Sequence, residues 1–306
     1  MTRKIVLIGR ASTGKTSLKK AILEGEDPFT LMINPLDPTR GIETSVYNWI
    51  DLELSIFDTS GQELNSLLKN KDEQKITFEN ADLIIYIFDF PLWTEIPEDI
   101  IKDIHKIYNL ITEKYLQAGL ILVMHKFDLI QVKIYSKIQK LKEQMVELIN
   151  LKIHLPIYFT SISPDLISNT YNVCFEIFSK FSKESKELKR ILDKELKNTS
   201  KKMCIITDVK NHIIIQSKTP DFPVKYINKL YLLLEPINKK ADEITLIYDK
   251  IFFIDECTSI LAILISDIYN LNKKNKNLIC ISEFQKKSEL YELRDKIKKD
   301  LVKYYT

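Results

Sequence analysis

Residues 4 to 17, Lys4-Ile5-Val6-Leu7-Ile8-Gly9-Arg10-Ala11-Ser12-Thr13-Gly14-Lys15-Thr16-Ser17, constrain the fold more than any other stretch of the chain. An apolar run stops at Gly9, and Gly9 and Gly14 then bracket four residues ahead of Lys15-Thr16, the spacing G-x-x-x-x-G-K-[ST]. Backbone N–H groups can curl around a polyphosphate only where no Cβ intrudes, which is what the glycines secure. A helix opening at this point adds its orphan N–H groups and partial positive charge to the cradle. The stretch therefore reads as a phosphate-binding loop formed by Gly9, Arg10, Ala11, Ser12, Thr13, Gly14, Lys15, Thr16 and Ser17. Lys15 is expected to reach the β- and γ-phosphates, and the Thr16 hydroxyl to ligate Mg2+. The plainer alternative is a strand-to-helix turn without a ligand; the strand before the loop and the helical pattern after it favour the phosphate site.

The chain downstream supplies what such a loop needs. A helix is expected over Thr16–Leu23. Pro28, Pro35 and Pro38 then exclude regular structure between Glu26 and Arg40, where Thr39 is placed to ligate Mg2+ and sense a terminal phosphate. Two strands, Glu43–Ile50 and Leu52–Phe57, follow, and the second delivers Asp58-Thr59-Ser60-Gly61-Gln62-Glu63. Asp58 can hold Mg2+ through water, Gly61 lets its N–H approach a γ-phosphate, and Gln62 can orient an attacking water. A turn capped by Asp58 is the bland reading of the same residues.

Ala81 to Phe88 is a continuous apolar run of strand length, the mark of a strand buried on both faces of a parallel sheet. After a helix over Pro97–Leu116, the strand Leu120–Met124 delivers His125-Lys126-Phe127-Asp128. A carboxylate at Asp128 can accept both N1–H and N2–H2 of guanine, a pair of donors that adenine lacks on that edge. Lys126 would lie over the ring and hold the loop, while His125 stands where asparagine is usual in [NT]-K-x-D. A helix Lys133–Asn150, a strand Ile153–Phe159 and a helix Asp165–Phe181 complete the alternation. Between the last two, Ser161 and Ile162 occupy the place from which a backbone N–H reaches the guanine O6. Strands alternating with helices specify a mostly parallel sheet that binds its ligand at the carboxyl ends of the strands.

The pattern changes near Ser182. Leu188, Ile191, Leu192 and Leu196 stripe a charged helix. A hairpin Met203–Thr207/Ile213–Gln216 turns at Lys210-Asn211, and Val224 to Leu234 trace another helix. Strands are expected at Ile244–Tyr248, Ile251–Ile254, Ser259–Ile265 and Leu278–Ile281, before a last helix striped by Leu290, Leu293, Ile297 and Leu301. This is an α+β domain over residues 182–306, after a first domain over 1–181. No residue set in it suggests catalysis; a plain core explains most of its stripes, and an exposed helix or sheet edge for dimerisation is the functional reading.

The net charge of +3 argues against nucleic-acid binding driven by bulk electrostatics. Cys174, Cys204, Cys257 and Cys280 form no C-x-x-C pair and lie in apolar surroundings, so free buried thiols in a reducing compartment are expected rather than disulfides or a metal site. The start Met1-Thr2-Arg3-Lys4 enters a strand at once, no lipidation motif is present, and the apolar runs are too short to span a bilayer. A cytoplasmic protein without direct membrane insertion is the expectation.

Gly9 to Ser17, Asp58 to Gln62 and His125 to Asp128 together resemble a Ras-like GTPase. The Gly9–Ser17 loop, the H-K-x-D form and Tyr158-Phe159-Thr160-Ser161-Ile162 make the chain similar, more narrowly, to the Rag/Gtr GTPases. The resemblance implies a Ras-like P-loop domain with a mostly parallel six-stranded sheet, followed by an α+β roadblock/longin-like dimerisation domain. It implies GTP/GDP and Mg2+ as ligands, and a slowly hydrolysing switch of the nutrient-signalling class. It also implies a homodimer or a heterodimer with a Rag/Gtr-like paralogue, roadblock-containing scaffold proteins that bring the dimer to a membrane surface, and GTPase-activating and exchange factors. Lys15, Thr39 and Gln62 are then the catalytic set. Ala11 stands where many fast-cycling relatives have glycine, and its methyl should hinder an incoming arginine finger; Arg40, directly after the switch threonine Thr39, is the candidate for a finger in cis. Two other readings stand beside this one. The first is a scaffold that keeps its nucleotide and assembles through residues 182–306. The second, an ATP-using P-loop enzyme, is disfavoured by Asp128 at a strand end.

Overall fold

The computed structural model describes residues 2–34, 36–114, 117–130, 135–151, 153–208, 213–223, 226, 251–256, 259–271, 274–283 and 287–305. The chain divides into two compact units, Met1–Val173 and Cys174–Thr306, the division falling inside a helix rather than after residue 181.

In the first unit the strands are β1 (Thr2–Ile8), β2 (Ile42–Trp49), β3 (Leu52–Thr59), β4 (Leu83–Asp89), β5 (Gly119–His125) and β6 (Ile157–Phe159). They form one six-stranded sheet in the order β2-β3-β1-β4-β5-β6, parallel except for the β2–β3 pair. All of β4 is buried, as its unbroken apolar run requires of a central strand covered on both faces. The helices are α1 (Lys15–Lys19), α2 (Pro28–Ile33), α3 (Leu64–Leu67), α4 (Lys71–Phe78), α5 (Phe90–Glu95), α6 (Pro97–Lys114), α7 (Tyr135–Ile149) and the first part of α8 (Ile167–Phe178), whose residues from Cys174 onward belong to the second unit. On α6 the stripe Ile100, Ile104, Ile107, Leu110 and Ile111 is buried with β4 and β5 residues in one core, as the i, i+3, i+4 spacing dictates.

This order places the ligand end. The chain runs outward from β1 to β3 on one side and to β4 on the other, so β1 is the topological switch point, where the loops leaving the carboxyl ends diverge and open a crevice. The register then sets which residues rim it: Leu7 pairs with Asp58, Ile8 with Tyr86, and Asp89 with His125.

Two expectations need correction. The proline-rich segment Glu26–Arg40 is not free of regular structure, because α2 forms within it. Asp27 is its N-cap, accepting hydrogen bonds from Phe29 N and Thr30 N, and Pro28 falls in the first turn, where a missing N–H costs nothing. The last strand is Ile157–Phe159 and does not begin at Ile153, which is half exposed. Pairing starts at Pro156, whose carbonyl accepts from Leu122 N, so the chain before it lies off the sheet. The helices α3 to α5 had no counterpart in the sequence reading.

The second unit contains α9 (Lys183–Leu196), β7 (Lys202–Asp208), β8 (Ile213–Lys218), β9 (Ile251–Glu256), β10 (Ser259–Leu271), β11 (Lys274–Glu283) and α10 (Lys287–Tyr305). Its five strands form an antiparallel sheet ordered β8-β7-β11-β10-β9. Both helices pack on it with their predicted stripes buried. The turn at Lys210-Asn211, most of the helix expected over Val224–Leu234 and the strand expected at Ile244–Tyr248 lie outside the described residues, as does Cys257. Cys204 and Cys280 are buried free thiols on paired strands, and Cys174 is a partly buried one. No helix among the described residues is long and apolar enough to cross a membrane.

Candidate functional site

The loop between β1 and α1 is held from several sides. Thr13 Oγ1 donates to the Arg10 carbonyl at 3.0 Å, and the Arg10 guanidinium leaves the loop to bond buried Asp103 of α6 at 2.7 Å, where Tyr86 also donates at 3.3 Å. Gly14 is left-handed, with φ of +87°, and a Cβ there would stand 2.5 Å from Cδ2 of His125, so both its conformation and its neighbour demand glycine. A Cβ on Gly61 would approach the Ala11 backbone N to 2.4 Å; the turn after β3 therefore rests directly on the loop.

Lys15 is buried, and its Nζ donates to the carbonyls of Gly9 and Arg10, both at 2.9 Å. Burial pulls its ammonium down to about 8, against the opposing charge of Asp58. A bound polyanion would compensate that desolvation. Next to it Thr16 Oγ1 donates to Asp58 Oδ2 at 2.7 Å and lies 2.9 Å from Thr39 Oγ1. Asp58 is fully buried, its second oxygen Oδ1 has no hydrogen-bond partner, and burial raises its carboxyl despite the Thr16 hydrogen bond and the charges of Lys19 and Lys15. Two hydroxyls and one carboxylate, with one of its two oxygens buried and unpartnered, are the donor set a small hard cation such as Mg2+ takes, together with phosphate and water oxygens. The residues present fit that ion.

A cavity of about 370 Å3 opens above these groups, bounded by loop residues Ala11 to Ser17, by Asp37 to Thr39, by Gly61 and Gln62, and by Lys126. Gln62 is exposed on its rim. The segments on either side of Gly41 and Gly61 are tied together, since Ser60 N donates to the Gly41 carbonyl at 2.7 Å and Gly41 N donates to Glu63 Oε2 at 3.1 Å.

On the far side, Lys126 is left-handed, and its Nζ donates to the Ser12 carbonyl and to Asp89 Oδ2, the latter at 2.8 Å. One ammonium thus joins the phosphate loop to the ends of β4 and β5. Asp128, Ser161 and Ile162 do not line the cavity. Asp128 accepts from Ser161 Oγ, which itself accepts from Ser163 N at 2.9 Å, so a serine of the next loop holds the carboxylate in place. Ser161 is in turn fixed by Thr170, whose hydroxyl accepts from Ser161 N at 2.9 Å and donates to its carbonyl at 2.7 Å. His125 lines nothing either: 1% exposed, it shares a 2.9 Å hydrogen bond with Thr160 Oγ1 while its ring edge backs Gly14. Burial, and then the charge of Lys126, push it down to about 3, so it is a neutral packing group.

Sequence reasoning missed three contributors. Asp103 and Asp89 are acidic residues on buried positions of a helix and a strand end, and a carboxylate interrupting an apolar pattern is the signal that marks them. Lys19 sits one turn beyond Thr16 with no motif to announce it.

A family model described as Gtr1/RagA G protein conserved region matches residues 4–230. The chain is 30% identical over 165 residues to Ras-related GTP-binding protein A of Dictyostelium discoideum, covering 53% of each. It is 27% identical over 134 residues to GTP-binding protein GTR1 of Saccharomyces cerevisiae, covering 42% of this chain and 41% of that one. To GTPase Der of Amoebophilus asiaticus it is 29% identical over 166 residues, which cover 52% of this chain and 35% of that one. The chain therefore spans about half the length, or less, of the curated relatives it matches.

Proposed function

The chain belongs to the Gtr1/RagA family of G proteins, and on that footing we propose that it binds GTP and GDP and works as a slowly hydrolysing switch. The observation that carries the reading is the meeting of Thr16, Thr39 and Asp58, at 2.7 and 2.9 Å, beside a phosphate-type loop with a buried lysine. Thr16, Thr39 and Asp58 would hold Mg2+, which when bound neutralises charge developing on the β- and γ-phosphates. Lys15 exchanges the Gly9 and Arg10 carbonyls for phosphate oxygens, and the loop N–H groups complete the cradle. Thr39 and the Gly61 N–H register the γ-phosphate, and the Gly41 contacts with Ser60 and Glu63 couple the two sensing segments. Gln62, at the rim, orients the attacking water.

Asp128, held by Ser161, accepts the paired donors of guanine, and the Ile162 region offers its backbone to O6. Turnover is slow for two reasons: Arg40 is exposed and does not bound the cavity, and the Ala11 methyl crowds the path of an arginine supplied by a partner. The second unit, with its antiparallel sheet and the helices α9 and α10 packed on it, serves as a roadblock-type dimerisation domain, pairing with a second copy or a paralogue; roadblock-containing scaffolds and regulators of hydrolysis and exchange act on that dimer.

The test is a fluorescence titration of nucleotide-stripped protein with labelled GDP in Mg2+, competed by ATP, with Asp128→Asn alongside. Tight binding that ATP does not compete, shifted toward xanthine nucleotides in the variant, is expected; binding lost to ATP overturns the reading. For the hydrolytic step, Gln62→Leu is expected to slow single-turnover hydrolysis, and an unchanged rate removes Gln62 from that role.

A further inference from the structure

Lys19 is a buried charge that the switch reading leaves unused. It lies three residues beyond Thr16 on α1, hence on the same face, and is only 5% exposed. Its Nζ stands 3.9 Å from Asp58 Oδ2, 3.8 Å from Glu24 Oε1 and 3.8 Å from Glu43 Oε2. These carboxylates come from the end of β3, from the turn following α1 and from the start of β2. The helix is built to make this set. It changes at Lys20 from α to a π turn running Lys20–Glu24. Residues five apart point about 140° away from each other on an α-helix, whereas a π turn stacks them, and so Glu24 comes to face Lys19.

We propose that Lys19 is an internal counter-cation of the metal carboxylate, sharing Asp58 with the divalent ion and setting how tightly that ion is held. The inference rests on the nucleotide-and-metal reading above. A buried ammonium is tolerated only among opposing charges, and here the nearest of them on the cavity side is the same carboxylate whose other oxygen is unpartnered. With no divalent ion bound, Lys19 and Lys15 are the cations that offset buried Asp58. With the ion bound, it sits with Lys19 beside that one carboxylate, and the repulsion between the two lowers the ion's affinity. Glu24 and Glu43 moderate this by drawing Lys19 away from Asp58. By linkage the coupling is reciprocal: whatever Lys19 takes from metal affinity, the metal takes from the fit of Lys19. Lys19 touches neither phosphate nor the attacked atom in this scheme; it is a positioning residue acting through Asp58.

The experiment is an EPR titration of Mn2+ into the GDP-loaded 306-residue chain, comparing wild type with Lys19→Met, Lys19→Arg and Glu43→Gln. Methionine keeps an unbranched stem without the charge and is expected to tighten Mn2+ about tenfold, because three carboxylates then lie near the ion with one fewer opposing charge. Arginine, which keeps the charge, is expected to hold wild-type affinity within about threefold. Glu43 is half exposed and its loss should spare the fold; releasing Lys19 toward Asp58, Glu43→Gln is expected to weaken Mn2+ several-fold. Opposite signs for Lys19→Met and Glu43→Gln are the signature, since a merely structural role would weaken the site in both. If Lys19→Met leaves Mn2+ affinity unchanged or weaker, the inference is overturned while the switch reading stands. If Lys19→Met does not fold, an unchanged or tighter affinity in Glu43→Gln overturns it. A wild-type protein that takes up GDP but no Mn2+ overturns both.

Discussion

Replacing His125 by asparagine should remove a specific acid sensitivity from the first unit. His125 is 1% exposed and held by Thr160, and burial with Lys126 nearby brings its native value to about 3. An unfolded histidine titrates near 6.5. Between these values the unfolded chain carries a proton that the native chain refuses. Stability therefore rises with pH through this window and is lost as pH falls below about 6.5. At pH 5.0 the loss relative to pH 7.5 is RT ln(1 + 10^1.5), about 2 kcal/mol, and it is nearly the same for any native value well below 5. Asparagine can keep the hydrogen bond to Thr160 and carries no proton in either state. The assay is urea unfolding at pH 7.5 and 5.0, followed by tryptophan fluorescence. Trp49 and Trp93 are the chain's two tryptophans and both belong to the first unit, so the signal omits the second. The packing cost of the substitution is common to both pH values and cancels. Wild type should lose about 2 kcal/mol more than His125→Asn between pH 7.5 and 5.0; equal losses would refute the placement of a neutral, buried His125.

Gly14→Ala must adopt φ of +87° and push its methyl against His125, so labelled-GDP affinity should fall by about thirtyfold or more, a cost of about 2 kcal/mol or above, read by fluorescence titration. Lys126→Ala removes the ammonium that joins the Ser12 carbonyl to Asp89; GDP should dissociate roughly tenfold faster or more in a stopped-flow chase, the worth of a charged hydrogen bond. Asp27→Ala deletes the cap of α2 and should cost that helix about 1 kcal/mol, seen as roughly fivefold faster amide exchange at residues 30–33.

Much of this protein was readable because phosphate chemistry is local in sequence. Gly9, Gly14, Lys15 and Thr16 fall within one short stretch, and the run from Ala81 to Phe88 announces a central strand by its apolarity. Asp27-Pro28 also carried a legible helix start, a cap followed by proline in the first turn, which the count of prolines around it obscured. The shortness of the last strand is different, because pairing depends on where Leu122 finds an acceptor, and that is a property of the assembled sheet.

The sequence by itself determined the motif residues, the alternation that makes the first sheet mostly parallel, and the amphipathic stripes of the second unit, since each depends on spacing along the chain. Tertiary structure alone decided the partnerships across it. Thr16 meets Asp58 over a separation of 42 residues, Arg10 meets Asp103 over 93, and Lys126 meets Ser12 over 114. It likewise decided that His125 is a neutral wall for Gly14 and that Lys19 shares the carboxylate of Asp58. Periodicity says which face of an element is buried, but strand order and register say which buried groups are neighbours, and charge and proton affinity follow from neighbours.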